Sequence, residues 1–249
     1  MTEFTEANRK YFDQLATTYQ DKFADSMKML SEQTLSNRLW ISDLWTDTVA
    51  QDQEIRMLEY ACGPGNISMT LAPFLTQIIG IDVSDNMVAE FNRNANLLGL
   101  ADKAISRTAD LLTDDVPVDF AVAPYMDLDM LTVSMALHHF EQPDRALKQL
   151  GARLKKGGVC FIIDLVADSG HGHDHGHSHN HDHGERQREF GNAAHTVKSH
   201  GFSQESMREL FQGAGFGGVE YKVLAQPLVF VKDEKTFSKT AFMARAQRL

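Results

Sequence analysis

The segment Met57-Leu58-Glu59-Tyr60-Ala61-Cys62-Gly63-Pro64-Gly65-Asn66 constrains this chain more than any other. The short run from Ile55 to Tyr60 reads as a strand that ends at a glycine-bearing turn. The apolar spacing from Asn66 to Leu75 then suits a helix, despite Pro73. A strand feeding a helix through such a turn is the opening unit of a wound α/β sheet, because glycine lets the backbone bend sharply and approach a ligand closely. Seventeen residues after Gly65 stands Asp82, at the end of a second strand, Gln77 to Asp82. An acid about 20 residues beyond such a turn is placed to accept hydrogen bonds from both hydroxyls of a ribose.

The pattern continues along the chain. Ser84 to Leu98 reads as a helix capped by Ser84. Ala104–Ala109, Met130–Met135 and Val159–Asp164 read as strands, Arg145–Leu154 as a helix, and Lys156-Gly157-Gly158 as a turn. Strands that alternate with helices and carry near-continuous apolar runs imply a parallel sheet covered on both faces. Ser203–Ala214 reads as a helix capped by Ser203, and strands near Val219–Leu224 and Pro227–Val231 suggest a closing β-hairpin. Before the sheet, residues 3–50 read as helical, with Phe4, Phe12, Leu15, Tyr19 and Phe23 on one stripe and Leu35, Leu39, Trp40, Leu44 and Trp45 on a second. Two parts follow: an N-terminal helical cap over residues 1–50, and an α/β core over 51–249 with a histidine-rich insertion at 168–188.

Composition narrows the function classes. Formal net charge is −10, which leaves no electrostatic footprint for nucleic acid. Two cysteines, Cys62 and Cys160, make no disulfide framework and suit a reducing compartment. The segment Met1–Glu6 has neither the basic nor the apolar region of a secretory signal. No apolar run nears the roughly 20 residues a membrane span needs. A cytoplasmic or nuclear location is expected.

Charge also bears on what the turn holds. A dinucleotide turn wants a third glycine for close helix packing, and Ser68 stands at that place. Glu59, at the mouth of the turn, would repel a pyrophosphate. S-adenosylmethionine has no phosphate and carries an ammonium and a sulfonium, so an acid beside the turn favours it. A nicotinamide-dependent oxidoreductase is the weaker alternative.

These residues resemble the class I S-adenosylmethionine-dependent methyltransferases. The family's first motif, an acid followed by three alternating glycine positions, is filled by Glu59, Ala61, Gly63 and Gly65, with Ala61 the departure. The resemblance makes Asp82 the ribose ligand within Gly80-Ile81-Asp82-Val83-Ser84-Asp85-Asn86-Met87, with Val83 beside it and Met87 against the adenine. Asp110 and Leu111 correspond to the segment whose acid bonds the adenine amino group. Ser134, in Ser134-Met135-Ala136-Leu137-His138-His139-Phe140, corresponds to the motif under the methionine part. The likeness runs from about residue 8 to 224 and is nearest the small-molecule, ubiquinone-biosynthesis-like branch. There a segment like Tyr11 to Tyr19 covers the cofactor. The fold this implies is Rossmann-like: a seven-stranded, mostly parallel sheet with one antiparallel strand near the end.

The methyl acceptor is not readable, but residues that could meet it are. Methyl transfer gains much of its rate from placing the nucleophile and excluding water, and needs a base only if the acceptor arrives protonated. His138 and His139 are candidates for that base. His139, Asp164, His195 and His200 are candidates for the acceptor pocket. His171, His173, His175, His177, His179, His181 and His183 alternate with small polar residues and could bind zinc or nickel weakly, in many registers. A partner or regulatory subunit, one that binds S-adenosylmethionine without strong catalysis, is the reading from another class.

Overall fold

A computed structural model describes residues 1–49, 52–167, 195–232 and 235–249. The seven histidines from His171 to His183 lie outside the described residues. Helices α1 (Glu3–Lys22), α2 (Ala24–Ser36) and α3 (Arg38–Ile41) precede the sheet. The core then runs β1 (Arg56–Tyr60), α4 (Asn66–Leu71), β2 (Gln77–Asp82), α5 (Asp85–Leu97), β3 (Ala104–Thr108), β4 (Leu128–Ser134), α6 (Pro143–Gly151) and β5 (Leu154–Leu165). After it come α7 (Gln204–Gly213), β6 (Phe216–Val223), β7 (Leu228–Lys232), β8 (Lys235–Lys239) and β9 (Ala241–Arg248).

Seven strands form one sheet in the order β3-β2-β1-β4-β5-β9-β6. The pairs among β1 to β5 are parallel, and β9 runs antiparallel to both β5 and β6. The apolar runs reflect burial on both faces. In β5, Phe161 and Ile163 join one core cluster with Met57, Ile67, Leu71, Ile78 and Phe91, while Cys160 and Ile162 join the other with Leu58, Ile79, Leu147 and Phe211. This is the mostly parallel Rossmann-like sheet that the sequence pattern implies.

Several boundaries differ from the sequence reading. The segment from Leu35 to Val49 is not one helix. It ends at Ile41, leaving Leu35 and Leu39 exposed, while Trp45 is buried and donates from its indole nitrogen to the carbonyl of Ser42 at 2.6 Å. Trp40 is only partly buried and donates to Glu220. Pro73 ends α4 early, in a 3-10 turn, Ala72–Phe74. The turn at Gly157 and Gly158 is a register irregularity inside a longer β5, with Gly157 at φ 80.

The expected closing hairpin is also corrected. β6 pairs with β9, and β7 pairs with β8 in a separate two-stranded sheet. The reason lies in β9, whose Phe242, Met243, Ala244 and Ala246 are buried and need a neighbour on each side. Pairing β6 with β7 would leave that apolar strand at an edge, where unpaired backbone groups face water.

Caps and packing at the first crossover set the site's frame. Ser84 caps α5 by accepting from the backbone nitrogen of Met87, and Ser203 closes a capping box on α7. A side chain on Gly65 would fall 2.6 Å from the ring of Phe91, so α5 packs against the turn only because Gly65 has none. Glu59 points inward rather than to the mouth of the turn. It is 2% exposed, and its Oε2 accepts from the backbone nitrogen and the hydroxyl of Ser68. It thereby ties β1 to the start of α4.

Burial raises the Glu59 carboxyl from its ordinary 4.5 to about 7, against the opposing hydrogen bonds from Ser68. The folded protein therefore holds that proton over a range in which the unfolded chain has lost it. Glu59 contributes stability at low pH that is lost as pH rises from about 4.5 through about 7. Melting curves from pH 5 to 8 are expected to show wild type losing stability relative to Glu59→Gln as pH rises, by up to roughly 3 kcal/mol. Parallel pH profiles for the two proteins would contradict this.

Candidate functional site

The site forms where the parallel strands end. Turns after β1, β2, β3 and β4 open on one side of the sheet, the carboxyl-terminal side on which ligands of such folds bind. Between them and α1 lies a cavity of about 300 Å³.

The bend after β1 is built by three left-handed residues, Ala61 at φ 53, Gly63 at φ 51 and Gly65 at φ 86. Cys62 donates its backbone N–H to the carbonyl of Ile81, and Gly65 donates to Cys62, so the bend is tied to β2 and closed on itself. A side chain added at Gly63 would meet nothing within 4 Å. The two glycines thus have different work: Gly65 makes room for Phe91, and Gly63 faces the cavity.

Asp82 bridges the bend and the next turn. Its Oδ2 accepts from the backbone nitrogen of Gly63 at 2.8 Å, and its Oδ1 from that of Ser84 at 2.9 Å. A carboxylate has about four acceptor sites, so beside these backbone donors Asp82 retains capacity for a ribose hydroxyl. Burial pushes the Asp82 carboxyl up to about 6, while the hydrogen bonds from Ser84, Gly63 and Val83 pull the other way. Val83 and Met87 continue the wall, and Asp110 follows after β3, accepting from the backbone of Leu112 and the hydroxyl of Tyr60.

Helix α1 roofs the cavity. Asp13 fastens it to the start of α5: Ser84 Oγ donates to Asp13 Oδ1 at 2.6 Å, and Asn86 Nδ2 donates to the Asp13 carbonyl at 3.0 Å. Thr5, Asn8, Phe12 and Tyr19, spaced at helical intervals, line the cavity from above. Tyr19 is pushed up to about 12 by burial and then by the nearby Asp82.

After β4 the chain turns at Met135, φ 53, into a 3-10 segment, Leu137–His139. His138 is buried. Its Nδ1 lies 2.7 Å from Oδ1 of the fully buried Asp164, whose Oδ2 accepts from the His138 backbone and whose Oδ1 also accepts from that of Leu165. His139 lines the cavity, with its Nδ1 2.7 Å from the carbonyl of Thr196. A carbonyl only accepts, so Nδ1 carries the proton and Nε2 carries the lone pair. Burial first, and His138 second, hold His139 well below the usual imidazole range, although the Thr196 carbonyl opposes them.

Of the residues named from sequence, Tyr19, Ala61, Gly63, Asp82, Val83, Met87, Asp110, Ser134 and His139 line this cavity. Glu59, Gly65, Leu111, His138, Asp164 and His200 are not among its lining residues. Tyr11 and His195 line a neighbouring groove on the outer side of α1, their rings 5.8 Å apart. Residues the sequence reading missed include Thr5, Asn8, Tyr60, Phe140 and Arg145. Helical spacing from Phe12 could have found Thr5 and Asn8. Arg145 is the only basic side chain among the lining residues besides the neutral-held His139, and it is paired with Asp114. The lining fits a cationic, ribose-bearing ligand: a backbone-cradled bend, four acids (Asp82, Asp110, Asp114 and Glu141) and, among the described lining residues, no unpaired cationic side chain for a phosphate. No metal-binding cluster occurs among the described residues, and no described helix is long and apolar enough to cross a membrane.

Comparison with known proteins agrees with this geometry. The family described as "Methyltransferase domain" matches residues 18–221. An uncharacterised methyltransferase of Schizosaccharomyces pombe is 28% identical over 214 residues, covering 85% of this chain and 68% of its own. Among solved structures, a methyltransferase of Thermotoga maritima, described as a possible histamine N-methyltransferase, shares 18% identity at a TM-score of 0.60, covering 96% of this chain and 98% of its own. The magnesium protoporphyrin IX methyltransferase of Synechocystis with bound S-adenosylhomocysteine shares 14% identity at a TM-score of 0.56, covering 97% and 98%. At these identities the two structures speak for the fold alone. The family match spans most of the chain, and with a sheet of this order it makes the protein a member of the methyltransferase domain family, a class I S-adenosylmethionine-dependent methyltransferase.

Proposed function

We propose that this methyltransferase acts on a hydroxyl or amine of a small molecule held under α1, with His139 taking the acceptor's proton. The observation that carries the reading is the Thr196 carbonyl on His139 Nδ1, which leaves the Nε2 lone pair for the cavity. When bound, S-adenosylmethionine supplies an electrophilic methyl group. The chain's own residues bind and orient. Asp82 accepts from the ribose, Gly63 and Ala61 let the backbone approach, Met87 and Asp110 flank the adenine, and Ser134 lies under the methionine part. Tyr19 and Phe12 on α1 exclude water, so residues 1–50 act as a cap on the core. His138 is a positioning residue in this scheme: its bond to Asp164 holds the turn that carries His139.

The histidine tract stands apart from this chemistry. We assign it a weak affinity for zinc or nickel from its sequence alone, and a cytoplasmic or nuclear setting accords with two free cysteines.

Three measurements test these assignments. Asp82→Ala is expected to weaken S-adenosylhomocysteine binding by about 1–3 kcal/mol in calorimetry, the scale for hydrogen bonds to a charged group, and Gly63→Val to weaken it further. Unchanged affinity would remove Asp82 from the ribose site. His139→Ala is expected to lower methyl transfer from labelled S-adenosylmethionine into cell extract by about 10²–10⁴-fold, with little change in product affinity. Transfer at the wild-type rate would refute the base. Titration with zinc chloride should give heat that vanishes when the seven tract histidines are replaced by Ser. No heat from wild type refutes the metal assignment.

A further inference from the structure

Tyr60, the last residue of β1, carries a hydroxyl that its packing does not require. It is 3% exposed and sits in the core with Leu58, Ile79 and Leu131. Phe140 meets its ring edge-on, with centroids 5.6 Å apart. A phenylalanine would fill the same space without taking a hydroxyl out of water, which is costly unless that hydroxyl finds a partner. The partner is a carboxylate on the cavity wall: the phenol donates to Asp110 Oδ1 at 3.3 Å.

Asp110 is already bonded without that contact. The same Oδ1 accepts from the backbone nitrogen of Leu112 at 3.0 Å. The terminal torsion of an Asp side chain is broad, so a carboxylate held by one donor swings, and a second donor on the same oxygen narrows it. The other oxygen, Oδ2, receives no donor from the described residues, and it is not among the unpartnered side-chain atoms shut off from solvent. It stays accessible on a residue that lines the cavity. The backbone nitrogen of Ala109 donates to the carbonyl of Asp82 at 2.9 Å, which sets the two acids near each other at the ends of β2 and β3. Adenine carries a donor, its amino group, where a 6-oxopurine carries an acceptor.

We propose that Tyr60 is a positioning residue: its hydroxyl holds Asp110 so that Oδ2 is presented to the amino group of adenine, and so sets a preference for adenine over a 6-oxopurine base. This rests on the proposed place of adenine against Asp110 and adds how that acid is aimed.

S-adenosylhomocysteine and S-inosylhomocysteine, amino against oxo at the purine 6-position, are the probes, each titrated calorimetrically into the full chain. Wild type is expected to prefer the adenosyl compound by about 30-fold or more. Tyr60→Phe should cut that preference about tenfold by weakening S-adenosylhomocysteine alone, with S-inosylhomocysteine affinity and melting temperature close to wild type. Asp110→Ala should abolish the preference, and adding Tyr60→Phe to it should change nothing more. A Tyr60→Phe protein that keeps the full preference overturns the proposal. So does one that weakens both compounds equally or melts well below wild type, because the hydroxyl is then structural. Wild type without a preference, or an Asp110→Ala protein that retains it, overturns the adenine assignment beneath and the proposal with it.

Discussion

The site depends on one buried carboxylate that joins two turns. Asp82 holds the backbone of Gly63 with one oxygen and that of Ser84 with the other. The first bond fixes the bend after β1, and the second fixes the start of α5, where Ser84 in turn holds Asp13 of the roof. A carboxylate buried to this extent is costly unless it is hydrogen-bonded, and backbone donors meet that need without adding a positive side chain. The same geometry leaves acceptor capacity toward the cavity. Ligand binding and local architecture therefore share one group, and its protonation bears on both.

Around that group, the acids divide the labour by the parity of the strand. Glu59 lies on the same face of β1 as Met57, the face that packs on α4, and so it ties β1 to Ser68 inside the protein. Asp82, at the very end of β2, reaches the cavity. His138 and His139 divide in the same way, one turned inward to Asp164 and the other toward the roof. Neighbouring residues of one motif thus serve opposite sides of the same turn.

Much of this was legible in the sequence. β2 was bounded correctly by its apolar run, and the Ser84 and Ser203 caps by a hydroxyl just before an apolar-periodic segment. The glycine bend and Asp82 were legible because backbone approach and ribose recognition each require a particular residue type at a particular spacing. What was missed depended on partners distant in the chain. No strand is read from the sequence after Val231, so β8 and β9 go unseen, and β6 and β7 offer each other a nearer hairpin than their true partners. The inward turn of Glu59 required knowing that Ser68 would stand against it. Asn8 escaped notice because a polar residue on an aromatic helical stripe reads as solvent-facing until the cavity beneath it is seen.

The account stands on the claim that the bend after β1 and the carboxylate of Asp82 together hold the ribose of a phosphate-free, positively charged methyl donor. A crystal structure of the protein grown with S-adenosylhomocysteine tests it most directly. The account predicts ribose oxygens within hydrogen-bond distance of both Asp82 oxygens, with the thioether sulfur on the His139 side. Electron density for the product in some other cleft, or a phosphate-bearing nucleotide filling the bend, would contradict it.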